Sequence, residues 1–355
     1  MFRTAGISNF VIASALAFGL ISCAGGAVSQ PAAETPDTIE QIPFADAGPH
    51  EFDTDYDIWS DEARQRDIAV KIYSPREAGP FPAVIFSHGL GGSREALAYL
   101  GERLASWGIV AIHIQHPGSD RNVWAGLTDR SEIMNALRNA VRAPRVAIDR
   151  FLDMPFVLDE IERRVAIGTL PVDVAHIGVA GHSFGAHSAL AAAGRIYPSS
   201  EGPVTFGDPR IVAGLLLSPP APGPEASPAS FPEAYGSVEI PLLHITGTND
   251  RNPVDQRVTP RDRLIPFENI HTAPQYLIVF EEADHVVFSG RTRGRRRPPA
   301  WYPIVQADVQ EAATAFFLAY LADNDEARNF LGGPLFVAAF DQQADVRRRL
   351  PGEVQ

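Results

Sequence analysis

Cysteine is nearly absent from this chain, and so is lysine. Cys23 is the single cysteine of 355 residues, so no disulfide can form within the chain whatever the surrounding redox state. Lys71 alone represents lysine among 30 basic residues, a bias that reads as genomic composition and not as function. Positive charge is scarce overall: 43 acidic residues leave a formal net charge of −13, which argues against nucleic acid as a partner. A long apolar run is missing too. The stretch from Phe10 to Ile21 is too short for the roughly 20 residues that cross a bilayer. No internal repeat marks a second domain. His113-x-x-His116 lacks a carboxylate partner at zinc-site spacing, so no metal is expected, and nothing in the chain asks for a cofactor.

The N-terminus has the charge and apolar pattern of a signal peptide: Arg3, then the run ending in Leu20-Ile21-Ser22-Cys23. Those four residues resemble the lipobox of bacterial lipoproteins. The resemblance implies cleavage after residue 22, lipidation of Cys23 and attachment to a membrane of the bacterial cell envelope. Ala24 in the next position resembles lipoproteins sorted to the outer membrane. From there to residue 49 the chain is rich in Ala, Pro, Gly, Ser and Thr, the composition of a flexible tether.

Residues 50–323 read as one α/β domain and 324–355 as a weakly patterned tail. Period-two alternation over Glu51–Trp59 and Asp67–Tyr73 predicts antiparallel strands at a sheet edge. Continuous apolar runs predict buried strands at Ala83–Phe86, Ile109–His116, His176–Ala180, Ile211–Leu217, Leu242–Thr246 and Tyr276–Phe280. Helical spacing covers Glu95–Trp107, Pro144–Val165 and Ile304–Leu321. In the second of these, Val146, Ile148, Leu152, Phe156 and Ile161 read as the apolar side. Strands alternating with helices predict a mostly parallel sheet covered on both faces.

Gly181-His182-Ser183-Phe184-Gly185 joins one of these strands to a small-residue helix. A serine on so sharp a turn has an exposed hydroxyl, and flanking glycines remove side chains that would collide. A serine hydroxyl needs a base, an acid that orients the base, and donors for the oxyanion. His285, just past the last strand, is the candidate base. Asp250, in Gly247-Thr248-Asn249-Asp250 after the penultimate strand, is the candidate acid, ahead of Asp208 and Asp284. The backbone N–H groups of Leu90, in His88-Gly89-Leu90-Gly91-Gly92, and of Phe184 are the candidate oxyanion donors. Serine, acid and histidine in that order, each at a strand end, is the arrangement of α/β-hydrolases.

Phe86-Ser87-His88-Gly89-Leu90-Gly91, the His116-Pro117-Gly118-Ser119-Asp120 loop and the Gly181–Gly185 turn together resemble the platelet-activating-factor acetylhydrolase and dienelactone-hydrolase-like branch of α/β-hydrolases. The resemblance covers roughly Arg66 to Phe288 and implies hydrolysis of short or medium acyl esters through an acyl-enzyme. It has two departures. Acetylhydrolases of this group carry the acid where this chain has Ser218, and dienelactone hydrolases proper use a cysteine nucleophile. A peptidase or amidase on the same triad, or a non-catalytic surface binding lipoprotein, are the alternative readings. Arg291, Arg293, Arg295, Arg296 and Arg297 read as a solvated loop, with an anionic substrate or lipid head group as the other possibility. Trp124, Phe231 and Tyr235 are candidates for a pocket lining or for loop packing, and His182 and His187 read as packing residues.

Overall fold

The computed structural model describes residues 43–220, 222, 227–290 and 298–350. The expected signal peptide, Cys23, most of the expected tether and the Arg291–Arg297 run lie outside the described residues. Among the described residues no helix is long and apolar enough to cross a membrane.

The chain opens with β1 (Phe52–Asp61), β2 (Arg66–Pro75) and β3 (Phe81–Ser87), then α1 (Ala98–Ser106), β4 (Val110–Gln115), α2 (Arg130–Arg142), α3 (Pro144–Ala166), β5 (Val172–His182) and α4 (Phe184–Ala192). A separate two-stranded ribbon, β6 (Ile196–Tyr197) with β7 (Val204–Thr205), precedes β8 (Ile211–Leu217), α5 (Phe231–Tyr235), β9 (Leu242–Asn249), α6 (Ile265–Asn269) and β10 (Gln275–Asp284). The chain closes with α7 (Tyr302–Leu321), α8 (Asp325–Gly332), α9 (Pro334–Phe340) and β11 (Ala344–Arg349). The main sheet has nine strands in the order β1-β2-β4-β3-β5-β8-β9-β10-β11. Its centre, from β4 through β10, is parallel. β1 and β2 at one end and β11 at the other are antiparallel.

Pleating sends alternate side chains to opposite faces, and each face has its own core. Val84 and Phe86 of β3 join Leu100 and Leu104 of α1 and Phe316 and Phe317 of α7 on one side. Ala83 and Ile85 join Met154 and Val157 of α3 and Ala189 and Leu190 of α4 on the other. Double coverage explains why the central strands read as unbroken apolar runs while β1 and β2 alternate.

The structure differs from the sequence pattern in four places. α1 begins at Ala98 because Leu97 before it takes a left-handed conformation (φ 64°), which the helix cannot include. α2 was not anticipated, although Ile133, Leu137 and Val141 recur at helical spacing; of these Leu137 is the one buried. α3 turns inward a side that shares only Ile161 with the apolar side read from the sequence. Arg150, Phe151, Asp153, Met154, Val157, Leu158 and Ile161 are buried, while Ile148 is 41% exposed. Two charged residues on the inner face hid it. Finally, residues 325–349 form α8, α9 and β11, with Phe330, Phe336 and Phe340 in the core.

One buried carboxyl makes the fold pH-sensitive. Glu311 on α7 is 5% exposed, and its Oε1 has no hydrogen-bond partner among the described residues. Burial, then the nearby Asp308 charge, pushes it from 4.5 up to about 7, against a smaller opposing pull from Arg103. Between those values the folded chain holds more protons than the unfolded one, so stability falls as pH rises through the window. Glu311→Gln should raise the melting temperature at pH 8, by an amount equivalent to about 1–3 kcal/mol, and leave it unchanged below pH 4.5. Equal melting of the two proteins at both pH values would contradict this.

Candidate active site

β5 delivers Ser183 to the carboxyl end of the sheet and α4 starts directly after it. The turn is tight enough that Ser183 adopts φ 56° and ψ −116°, a backbone conformation costing about 1–3 kcal/mol and retained where the surroundings enforce it. Those surroundings are visible. A Cβ on Gly181 would lie 2.2 Å from the Gly185 carbonyl, and one on Gly185 would lie 1.8 Å from the Ser87 oxygen. Ser183 N–H is tied to the Leu217 carbonyl at 2.9 Å.

Asp250 follows β9 and His285 follows β10, and the fold brings both to Ser183. His285 Nε2 lies 2.9 Å from Ser183 Oγ, and His285 Nδ1 lies 2.7 Å from Asp250 Oδ1. Thr246 Oγ1 donates to the second carboxylate oxygen at 2.8 Å. Asp250 is fully buried. Burial alone would raise its carboxyl, but His285 and Arg263 outweigh burial and hold it well below the usual carboxylate range. An ionised Asp250 accepts from Nδ1–H, which leaves the Nε2 lone pair for the serine hydroxyl. The two rival acids are engaged elsewhere: Asp208 with Arg210, Asp284 with the Tyr302 hydroxyl and the Val286 N–H.

Leu90 and Phe184 line the same cavity as Ser183 and His285, a space of about 680 Å³. Neither backbone N–H donates to a protein acceptor among the described residues. Leu137 and Val141 of α2, with Val254 and Val258 of the loop after β9, supply apolar wall. Pro220 and Pro222, from the excursion after β8, also line it. Trp124, Phe231 and Tyr235 do not. Trp124 Nε1 donates to the Gly91 carbonyl at 3.1 Å, Phe231 packs beside the core, and Tyr235 is buried under the Arg195 guanidinium.

The residues matched by the family described as platelet-activating factor acetylhydrolase, isoform II, are 66–136. They run from the start of β2 into α2 and include the Ser87–Gly92 turn. Cutinase est2 of Thermobifida alba is 38% identical over 88 residues, 22% of this chain and 28% of that protein. The chain therefore spans under a third of the length of the curated relative it matches. The family-matched residues supply β2, β3 and β4 of a sheet in which the neighbouring β5 ends in a strand–serine–helix turn.

The chain has the α/β-hydrolase fold.

Within this fold the carboxylate beside the histidine comes from Asp250, past β9. Ser218, at the end of β8, is fully buried with φ 51°. Two neighbours of the relay escaped sequence reasoning. His182, buried and neutral because burial and then the nearby His285 push it well below its ordinary value, donates from Nε2 to the His285 carbonyl at 2.9 Å. Arg263 donates to the Ser218 and Pro219 carbonyls at 3.2 and 3.1 Å. Its Nη2 stands 3.4 Å from Asp250 Oδ1. An arginine within an apparently solvated 251–264 loop gives no sequence signal of this role. His187 packs against Phe151 and Tyr197, and His113 stacks on Phe86 with Nδ1 on the Ala96 carbonyl. Among the described residues no group of three or more His, Cys, Asp or Glu is placed to hold a metal ion.

Proposed function

We propose that the chain is a serine carboxylic-ester hydrolase in which Ser183, His285 and Asp250 form the catalytic triad. The observation that carries this reading is the unbroken hydrogen-bonded relay from Asp250 through His285 to Ser183 Oγ, opening on a cavity bordered by two undonated N–H groups. Ser183 Oγ attacks the ester carbonyl carbon as its proton passes to His285 Nε2. The Leu90 and Phe184 N–H groups donate to the developing oxyanion. On collapse His285 returns the proton to the departing alcohol, leaving an acyl group on Ser183. Water then attacks by the same route and releases the acid. The names of the two matches, an acetylhydrolase family and a cutinase, support an ester over an amide.

The test is covalent labelling and turnover of the folded protein. A fluorophosphonate should attach to Ser183 and abolish activity. Among para-nitrophenyl esters, turnover should peak at short or medium acyl chains, in keeping with a bounded cavity of about 680 Å³. A folded protein that leaves Ser183 unlabelled and cleaves no ester would refute the proposal.

A further inference from the structure

Arg150 projects from α3 into the interior and is fully buried. Burying a guanidinium is costly unless its donors are satisfied, and here they go to one small region. Nη2 donates to Ser87 Oγ at 2.8 Å and to the His88 carbonyl at 2.6 Å. Nη1 donates to Ser119 Oγ at 2.8 Å. Nε donates to Ser188 Oγ at 3.0 Å. The cation also lies 4.6 Å from the centroid of the Phe184 ring. Arg150 does not line the cavity.

These partners converge on the two oxyanion donors from behind. Ser87 and His88 lead directly into Gly89 and Leu90. On the other side of Leu90, Gly91 N–H is held by the Ser119 carbonyl at 2.8 Å, the residue whose hydroxyl Arg150 grips. Ser188 Oγ donates to the Phe184 carbonyl at 3.3 Å, and the Phe184 ring is covered by the guanidinium itself. We infer that Arg150 is a positioning residue that holds the Leu90 and Phe184 N–H groups in register with one another.

The remaining buried polar groups complete the support of the turn. Ser87 Oγ accepts from Arg150 and donates to His116 Nε2 at 2.8 Å, and His116 Nδ1–H donates to Asp153 Oδ2 at 2.9 Å. Asp153 is held in turn by Arg64 and Arg66, so its charge is satisfied without spending an Arg150 donor. His116 N–H donates to His88 Nε2 at 3.0 Å, which puts the His88 proton on Nδ1, 2.7 Å from the Gly89 carbonyl. A planar fork of fixed donors suits this task. A lysine ammonium keeps the charge but cannot reach four separated oxygens and also cover a ring.

The inference rests on the reading of Leu90 and Phe184 as oxyanion donors, and its test has one readout that does not depend on turnover. In Arg150→Met, kcat on para-nitrophenyl acetate should fall about 10²–10³-fold, the size of losing one oxyanion donor, with KM changed less than threefold. The inhibition constant of a trifluoromethyl ketone should rise in step with the loss of kcat/KM. Arg150→Lys should recover only part of the rate. Hydrogen exchange at Gly91 and Gly92 should quicken at least tenfold while β3 and β5 amides keep their protection. Rates within threefold of the parent in a folded Arg150→Met, or exchange quickening equally in β3 and β5, would overturn the positioning role. If Arg150→Met does not fold, Arg150→Lys decides by the same measurements. If the parent cleaves no ester and takes no fluorophosphonate, the esterase reading falls. Exchange at Gly91 and Gly92 then judges the clamp alone.

Discussion

Ser183→Ala should lower kcat for ester cleavage about 10⁵–10⁶-fold, His285→Ala should do nearly the same, and the double variant should be scarcely worse than either. The geometry dictates this pattern. His285 Nε2 lies 2.9 Å from Ser183 Oγ. Removing the base leaves a hydroxyl with no acceptor for its proton, and removing the hydroxyl leaves a base with nothing to activate. The losses therefore describe one unit, worth about 7–8 kcal/mol of transition-state stabilisation at about 1.4 kcal/mol per tenfold. Asp250→Asn costs less, about 10⁴-fold, because it leaves His285 in place while presenting an amide N–H or a weaker acceptor to Nδ1. Rate measurements on the three variants, with circular dichroism to establish folding, check the set. A Ser183→Ala protein retaining more than a few per cent of parental turnover would end the triad reading.

Gly185→Ala should abolish the folded protein, with a loss above about 4 kcal/mol. Helix propensity points the other way, since alanine is favoured over glycine inside a helix by about 1 kcal/mol, and Gly185 belongs to α4. Contact decides the sign. The added Cβ would meet the Ser87 carbonyl oxygen at 1.8 Å and its carbon at 2.5 Å. Both are backbone of a central strand held in register with β4 and β5. Neither can swing aside as a side-chain tip could. Gly332→Ala provides the contrast, because nothing stands within 4 Å of its Cβ position at the end of α8. That variant should gain about 0.5–1 kcal/mol. Chemical denaturation of both proteins measures the difference. A Gly185→Ala chain melting like its parent would mean that α4 and β3 do not approach so closely.

How legible the molecule was in its sequence depended on which physical signal each part carries. The central strands and the residues at their carboxyl ends were readable because burial on two faces leaves mostly apolar runs, broken by few polar residues such as His113 and His244, until the strand stops. Ser183, Asp250 and His285 stand where those runs break. α2 carried a signal that went unread: Ile133, Leu137 and Val141 recur at helical spacing with Met134 beside them, and Asp129 caps the start. α3 was found but read on the wrong side, since its inner face holds Arg150 and Asp153, which by composition belong outside. The same two residues anchor the network behind Leu90. Polar groups satisfied by long-range hydrogen bonds carry no local pattern, which is why Arg150, Arg263 and His182 emerged only from the three-dimensional arrangement. β11 was missed for a related reason. Ala344–Arg349 alternates weakly and ends in three arginines, and only its pairing with β10 makes it a strand.

That pairing bears on how the molecule is made. β10, which carries the chain to His285, has β9 on one side and β11 on the other, and β11 occupies residues that leave the ribosome after every other strand of the sheet. Until they emerge, the backbone groups along one edge of β10 have no mate and can recruit a strand from another chain. Synthesis of β11 thus coincides with closing the sheet next to its histidine. A tag fused close behind Arg349, or a stop codon placed shortly before Ala344, acts on that closing step, and the yield of soluble protein would register it before any assay of chemistry does.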